Sequence, residues 1–241
     1  MKRHLVDRML KRLCLFVLLT TVMFALPGRS GVASASDKTE AQAIVDKSKG
    51  AFSNLVNDAN YSWLHEYLKT AKGVVIFPQI LKGGFFLGGS GGTGVLLARN
   101  DDGTWSGPAF YTLASITFGL QIGGEAAELV MVALNKKAID SLLSSSVKLG
   151  GDVSIAVGPV GAGAKGALNI PEVKADFVSF SKTMGLYGGL NLEGSVMQVR
   201  ESLNTSYYGK DVTPNEILTG KVAGEPGSGD LRLDLKKASA K

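Results

Sequence analysis

Between residues 40 and 57, Ala41, Ile44, Val45, Ser48, Phe52, Leu55 and Val56 recur at helical spacing, while Gln42, Asp46, Lys49 and Ser53 take the opposite face. This periodicity predicts an amphipathic helix with a weak point at Gly50. A second helix is expected over about 62–70, where Trp63, Leu64, Tyr67 and Leu68 make one aromatic-rich stripe and Gly73 follows as a stop signal. Beyond Gly73 the pattern changes. The runs VVIF at 74–77, GGFFLGGSGGTGVLLAR at 83–99 and GLYGGLNLEGSVMQV at 185–199 are apolar stretches punctuated by glycine. A helix tolerates that spacing poorly, because each interior glycine costs it about 1 kcal/mol relative to alanine. The runs read instead as strands in which glycine permits bends, bulges and close backbone approach.

Asn100-Asp101-Asp102-Gly103 supplies a hairpin loop between strands at 94–99 and 104–105, and strand signals continue through Leu134. KKAIDSLLS at 136–144 reads as one short helix, 147–199 as four or five more short strands, and 214–218 as a further helix. GEPGSGD at 224–230 has the composition of a flexible linker. The segment after it alternates Leu231, Leu233 and Leu235, so it is either an edge strand or disordered, and disorder is the expectation. The sum is an α+β fold: a strongly curved or barrel-like, Gly-rich, mainly antiparallel sheet with N-terminal amphipathic helices and short helices near the C-terminus. Of the 31 glycines, 23 fall between Gly73 and Gly194, inside the apolar runs.

The same residues carry a family likeness. AKGVVIFP at 71–78, the glycine-rich run at 83–99, Trp105-Ser106-Gly107-Pro108-Ala109, FGLQIGGE at 118–125, VMVALN at 130–135, LGGDVSIAVGPVG at 149–161, SFSKTMGLYGGLNLEG at 179–194 and Tyr207-Tyr208-Gly209 follow one another. In that order they resemble the SYLF domain, also called the Las17-binding actin-regulator domain. The likeness extends over nearly all of 71–216. It implies membrane binding, since eukaryotic members bind phosphoinositide-containing membranes. Within that family pattern the Trp105 tetrapeptide resembles a structural corner, with Trp105 as a core plug.

The first 35 residues read as an export signal: Lys2, Arg3, Arg8, Lys11 and Arg12, then an uncharged apolar run of 14 residues at 13–26, then a small-residue site ending at Ala35. Cleavage is expected before Ser36, with an uncleaved anchor as the alternative. The run falls short of the ~18 residues that span a bilayer, and Pro27-Gly28 breaks it. This segment holds 6 of the 26 Lys and Arg and 1 of the 21 Asp and Glu, so residues 36–241 carry 20 of each and no net charge. A nucleic-acid function argued from the basic pI of 9.2 therefore loses its support. The single cysteine, Cys14, lies in the signal, which removes disulfides, thiolate chemistry and cysteine metal sites from the exported part. The expected organisation is a signal at 1–35, a helical region at 36–70, a SYLF-like domain at 71–219 and a flexible tail at 220–241.

Catalytic patterns are thin. Gly88-Gly89-Ser90-Gly91-Gly92 matches the letters of a nucleophile elbow, yet the one histidine after the signal, His65, precedes Ser90, and in that fold it follows the serine. The GGSGGTG run at 88–94 lacks the Lys-Ser/Thr ending of a P-loop but could form an anion nest if its glycines take positive φ. Asp101 with Asp102, and Glu125 with Glu128, do not have calcium-loop spacing. The expectation is a non-enzymatic domain without metal or cofactor. Its partner is a phospholipid or membrane surface, in the periplasm or secreted, or peripheral on a membrane. The candidate contacts are Lys47, Lys49, Phe52, Trp63, Tyr67, Lys69, Lys72 and Lys82. The alternatives are an envelope structural or protein-interaction domain and, last, a serine hydrolase using Ser90. No nucleic-acid partner is expected. The two N-terminal helices either pack on the sheet or offer a face to lipid.

Overall fold

In a computed structural model of the protein, the described residues are 35–84, 87–118, 123–160, 173–184, 190, 192–222 and 226–240. Residues 1–34 of the segment read as an export signal lie outside them, as do parts of the glycine-rich motifs at 85–86, 119–122, 161–172, 185–189 and 191. The elements run α1 (Ala35–Val56), α2 (Trp63–Thr70), β1 (Gly73–Gly84), β2 (Leu87–Ala98), β3 (Ala109–Phe118), β4 (Gly123–Ala133), α3 (Lys136–Leu142), β5 (Ser146–Lys148), β6 (Ile155–Val157), β7 (Phe177–Met184), β8 (Val196–Val199), α4 (Glu201–Tyr208), α5 (Pro214–Leu218) and α6 (Gly229–Ser239). The strands form one eight-stranded sheet in the order β5-β8-β3-β2-β1-β4-β7-β6, curled into a half-barrel. Every pairing is antiparallel except β6 with β7.

Cross-strand register shows which side chains share a face, because paired residues point the same way and neighbours along a strand point opposite ways. Phe180, Val130, Ile76, Val95 and Phe110 form one row across β7, β4, β1, β2 and β3, and each is at most 1% exposed. The helices cover this face. Phe180 meets the Tyr67 ring of α2 at 6.0 Å, and Phe110 meets Tyr207 of α4 edge-on at 5.2 Å. The apolar stripe of α1 lies against the same layer, with Ala41, Val45, Ala51, Phe52 and Leu55 all buried. The opposite face carries Tyr111, whose hydroxyl donates to the Leu142 carbonyl at the end of α3.

β1 is a central strand that contains Pro78, which has no N–H for the ladder. The proline sits where register shifts on both sides, between Ile76 and Leu81 toward β2 and between Phe77 and Ile80 toward β4. A bulge there removes the need for its missing donor. At the same place β2 passes close to β1: a Cβ on Gly94 would run into the Ile76 carbonyl, and one on Gly92 into that of Gln79.

Four local expectations change. The first helix begins at Ala35, not at 40, and continues through the exposed Gly50. After the Asn100–Gly103 turn, with Gly103 at φ +79°, residues 104–105 contribute only a bridge from Trp105 to Arg99, and β3 starts at Ala109. Residues 201–208, not foreseen as an element, form α4. The C-terminal segment expected to be disordered is α6, because Leu231, Leu235 and Ala238 recur at i, i+4 and i+7 and are buried. It is fastened to α1 by the Lys49–Asp230 ion pair at 2.7 Å and by Gln42 Nε2 donating to the Gly227 carbonyl at 3.0 Å.

Candidate functional site

The structure does not bring the eight proposed lipid-contact residues together. Phe52 and Tyr67 are 0% and 4% exposed, occupied by packing against the sheet, and Trp63 is half-buried against the core. Lys49 pairs with Asp230, Lys69 with Glu66 at 2.9 Å, and Lys82 with Glu125 at 3.1 Å. Among the described residues, Lys47 and Lys72 have no acidic partner within 4 Å. Lys72 precedes the first residue of β1 and Lys82 lies near its last, about 30 Å apart at ~3.3 Å per residue. Among the eight proposed residues, the lysines and the apolar side chains therefore do not share one exposed helix face.

The sheet itself offers a surface that the sequence did not signal. Among the described residues, β7 pairs with β4 as far as Ala126 and β8 pairs with β3 as far as Ala114. Past those points β4, β1, β2 and β3 are, among the described residues, the strands that continue, and they form a four-stranded tongue. On its helix-side face the rows are Ala126-Leu81-Gly91-Ala114 and Gly124-Gly83-Gly89-Ile116. Glycine and alanine leave the two large side chains standing clear, and Leu81 is 57% and Ile116 72% exposed. On the other face Glu125, Lys82, Ser90 and Ser115 form one polar row. Lys82 and Glu125 are the only charged residues in the tongue segments 80–84, 87–91, 114–118 and 123–126, and they neutralise each other. The tongue is thus an uncharged sheet end with an apolar face.

The catalytic patterns dissolve on inspection of their surroundings. Ser90 lies inside continuous β2, not on a strand-to-helix turn, so the elbow geometry is absent. Lys82 is its cross-strand neighbour, but the Lys82 ammonium is held by Glu125. His65 sits on α2 with Nε2 2.8 Å from the Val56 carbonyl. The positive-φ glycines described are Gly103, Gly150, Gly194, Gly209 and Gly220, so residues 88–94 do not form the anion nest. The Trp105 corner packs as expected: Trp105 is 3% exposed, and Ser106 exchanges bonds with Ala98 through its own N–H (2.8 Å) and through an Oγ that accepts at 2.9 Å. Tyr208 closes the same corner by donating to the Pro108 carbonyl at 3.1 Å.

One carboxylate is strongly perturbed. Asp176, 5% exposed, accepts from Asn135 Nδ2 (3.1 Å), Lys137 Nζ (2.9 Å), Ser154 N–H (2.8 Å) and Ser154 Oγ (2.9 Å). Burial pushes its pKa up, but the hydrogen bonds from Ser154, Lys137 and Asn135 outweigh burial and hold it well below the usual carboxylate range. With its oxygens filled by partners from the start of α3 and the approach to β6, Asp176 is a clasp at the foot of the sheet.

The described residues thus form an α+β domain, a curled half-barrel sheet with helices from both ends of the chain. The chain is a member of the Ysc84 family, described as Las17-binding protein actin regulator, which matches residues 114–238. It is 40% identical over 166 residues to an SH3 domain-containing protein of Schizosaccharomyces pombe, covering 68% of this chain and 38% of that one. It is 36% identical over 167 residues to protein YSC84 of Saccharomyces cerevisiae (68% and 35%), and 33% identical over 162 residues to the SH3 domain-containing YSC84-like protein 1 of Bos taurus (67% and 47%). The match spans less than half the length of each of these relatives. Membership of an actin-regulator family is consistent with a non-enzymatic domain.

Proposed function

We propose that this chain is an exported, non-enzymatic domain that binds a phospholipid surface through the apolar face of the sheet tongue. The observation that carries the reading is the exposure of Leu81 and Ile116 on a sheet end whose one positive and one negative charge cancel. Exposed apolar surface on such an end is stabilised by transfer into the acyl boundary of a bilayer. Full burial of a leucine or isoleucine is worth about 1.5–3 kcal/mol, so the exposed parts of these two together contribute about 3 kcal/mol, roughly a hundredfold in partition. Export is supported by the basic start, apolar run and small-residue site of residues 1–35.

The test is co-sedimentation of the purified protein with neutral and anionic vesicles at low and moderate salt. Binding is expected to depend little on lipid charge or salt, because the tongue carries no net charge. Leu81→Asp with Ile116→Asp is expected to abolish it while leaving the thermal melt in place. Wild-type protein that stays in the supernatant with both vesicle types sinks the proposal. A second reading, a protein partner on the same tongue, is favoured by the Saccharomyces cerevisiae relatives named for binding LAS seventeen.

A further inference from the structure

The chain contains two Asn-x-Ser/Thr triplets in which x is not proline, Asn60-Tyr61-Ser62 and Asn204-Thr205-Ser206. On an exported chain this is the pattern that accepts N-linked oligosaccharide, a bulky and well-hydrated group that only a surface position tolerates. The fold separates the two. Asn204 lies on α4 at 0% exposure, and its Oδ1 accepts the Phe110 N–H at 2.9 Å, so a glycan there would force α4 away from β3. Asn60 lies in the 3-10 turn Ala59–Tyr61 between α1 and α2, and Asn57, Ala59 and Asn60 are all exposed. The residues on either side of Asn60 are tied down. Asp58 Oδ1 accepts the Asn60 backbone N–H at 3.0 Å and Asp58 Oδ2 accepts from Lys182 Nζ at 2.7 Å, while the buried Tyr61 donates its hydroxyl to the Ser181 carbonyl at 2.7 Å. These bonds run through the backbone of Asn60 and through its neighbours, so a substituent on the Asn60 side chain leaves them in place.

We propose that Asn60 is a glycosylation acceptor, whose side-chain nitrogen takes a sugar chain from an isoprenoid diphosphate-linked oligosaccharide in the hands of an envelope transferase. In that transfer Asn60 Nδ2 forms a bond to the anomeric carbon of the first sugar. The bond from that carbon to the diphosphate oxygen breaks, its electron pair leaves with the lipid diphosphate, and one amide proton passes to a base of the transferase. The proposal rests on the export reading, because the turn must meet a donor held on the outer side of a membrane. It makes no use of the tongue, so vesicle binding and glycosylation fail separately.

Tryptic peptide masses of the protein isolated from its own cells, fractionated into envelope and cytosol, test it. Peptide 50–69 carries Asn60 and peptide 201–210 carries Asn204, so the two triplets are read separately. Peptide 50–69 from the envelope fraction is expected to be heavier by a saccharide that fragmentation places on Asn60, and peptide 201–210 to have the mass its sequence gives. Asn60→Gln and Ser62→Ala are expected to remove the added mass, and Ser62→Thr to keep it. Asn60 is exposed and its backbone N–H bond survives the change, so Asn60→Gln leaves the thermal melt in place. An unmodified peptide 50–69 in envelope protein overturns the glycan and leaves export standing. A saccharide that survives Asn60→Gln, or one found on peptide 201–210, overturns the choice of site. Protein confined to the cytosol overturns the export reading and the glycan with it.

Discussion

Replacing Asp176 by alanine tests the clasp at the foot of the sheet. The change removes the acceptor for the Ser154 N–H, the Ser154 hydroxyl and the Asn135 amide, while Lys137, whose side chain is 65% exposed, returns to water at little cost. Hydrogen bonds to a charged group contribute about 1.5–3 kcal/mol each, but these three share one carboxylate and Ser154 itself reaches solvent, so a loss of about 3 kcal/mol is expected. In a domain of this size that corresponds to a Tm lower by about 6–12 °C. The pH dependence follows from the depressed folded pKa. The unfolded chain takes up a proton first as pH falls, so the carboxylate's contribution is whole above about pH 5 and drains below about pH 3.9 toward the folded value. Urea unfolding at pH 7 and pH 3 should therefore show the gap between wild type and Asp176→Ala narrowing by about 1 kcal/mol at the lower pH. A gap under about 0.5 kcal/mol at pH 7, or one that does not shrink at pH 3, would refute the clasp.

Removal of residues 226–241 strips α6 from α1 and withdraws the buried Leu231 and Leu235, a loss of about 5 kcal/mol that lowers Tm by roughly 10–20 °C; a melt unchanged within about 2 °C would show the helix to be dispensable. If the export reading holds, intact-mass measurement of the envelope-fraction protein should find a chain beginning at Ser36, and a mass that retains residues 1–35 contradicts cleavage there.

Much of the architecture was legible because burial and periodicity agree. Ala41, Val45, Phe52 and Leu55 announce α1, and the glycine-punctuated runs announce a curved sheet, since those side chains have one use in water. The same five residues after Asp230 hid a helix: Leu231, Leu233 and Leu235 alternate like a strand, and only packing of Leu231 and Leu235 on α1, with Leu233 left 48% exposed, decides the period. α4 was missed because Leu203 and Tyr207 are a single helical step, too short a signal beside the aromatic motif. The candidate surface was the least legible part. Which lysines are neutralised depends on partners 43 and 181 residues away, as for Lys82 and Lys49, and the exposure of Leu81 and Ile116 depends on where β7 and β8 stop pairing.

The seating of α1 between the sheet and α6 sets an order of assembly. Lys49 and Asp230 are 181 residues apart, so the first described helix acquires its outer neighbour only after the last helix has been made. Until then Ala41 and Val45 lack part of their cover, and closures between residues this far apart in the chain form late and slowly. A polypeptide built this way leaves its first described helix partly uncovered until its last helix has been made.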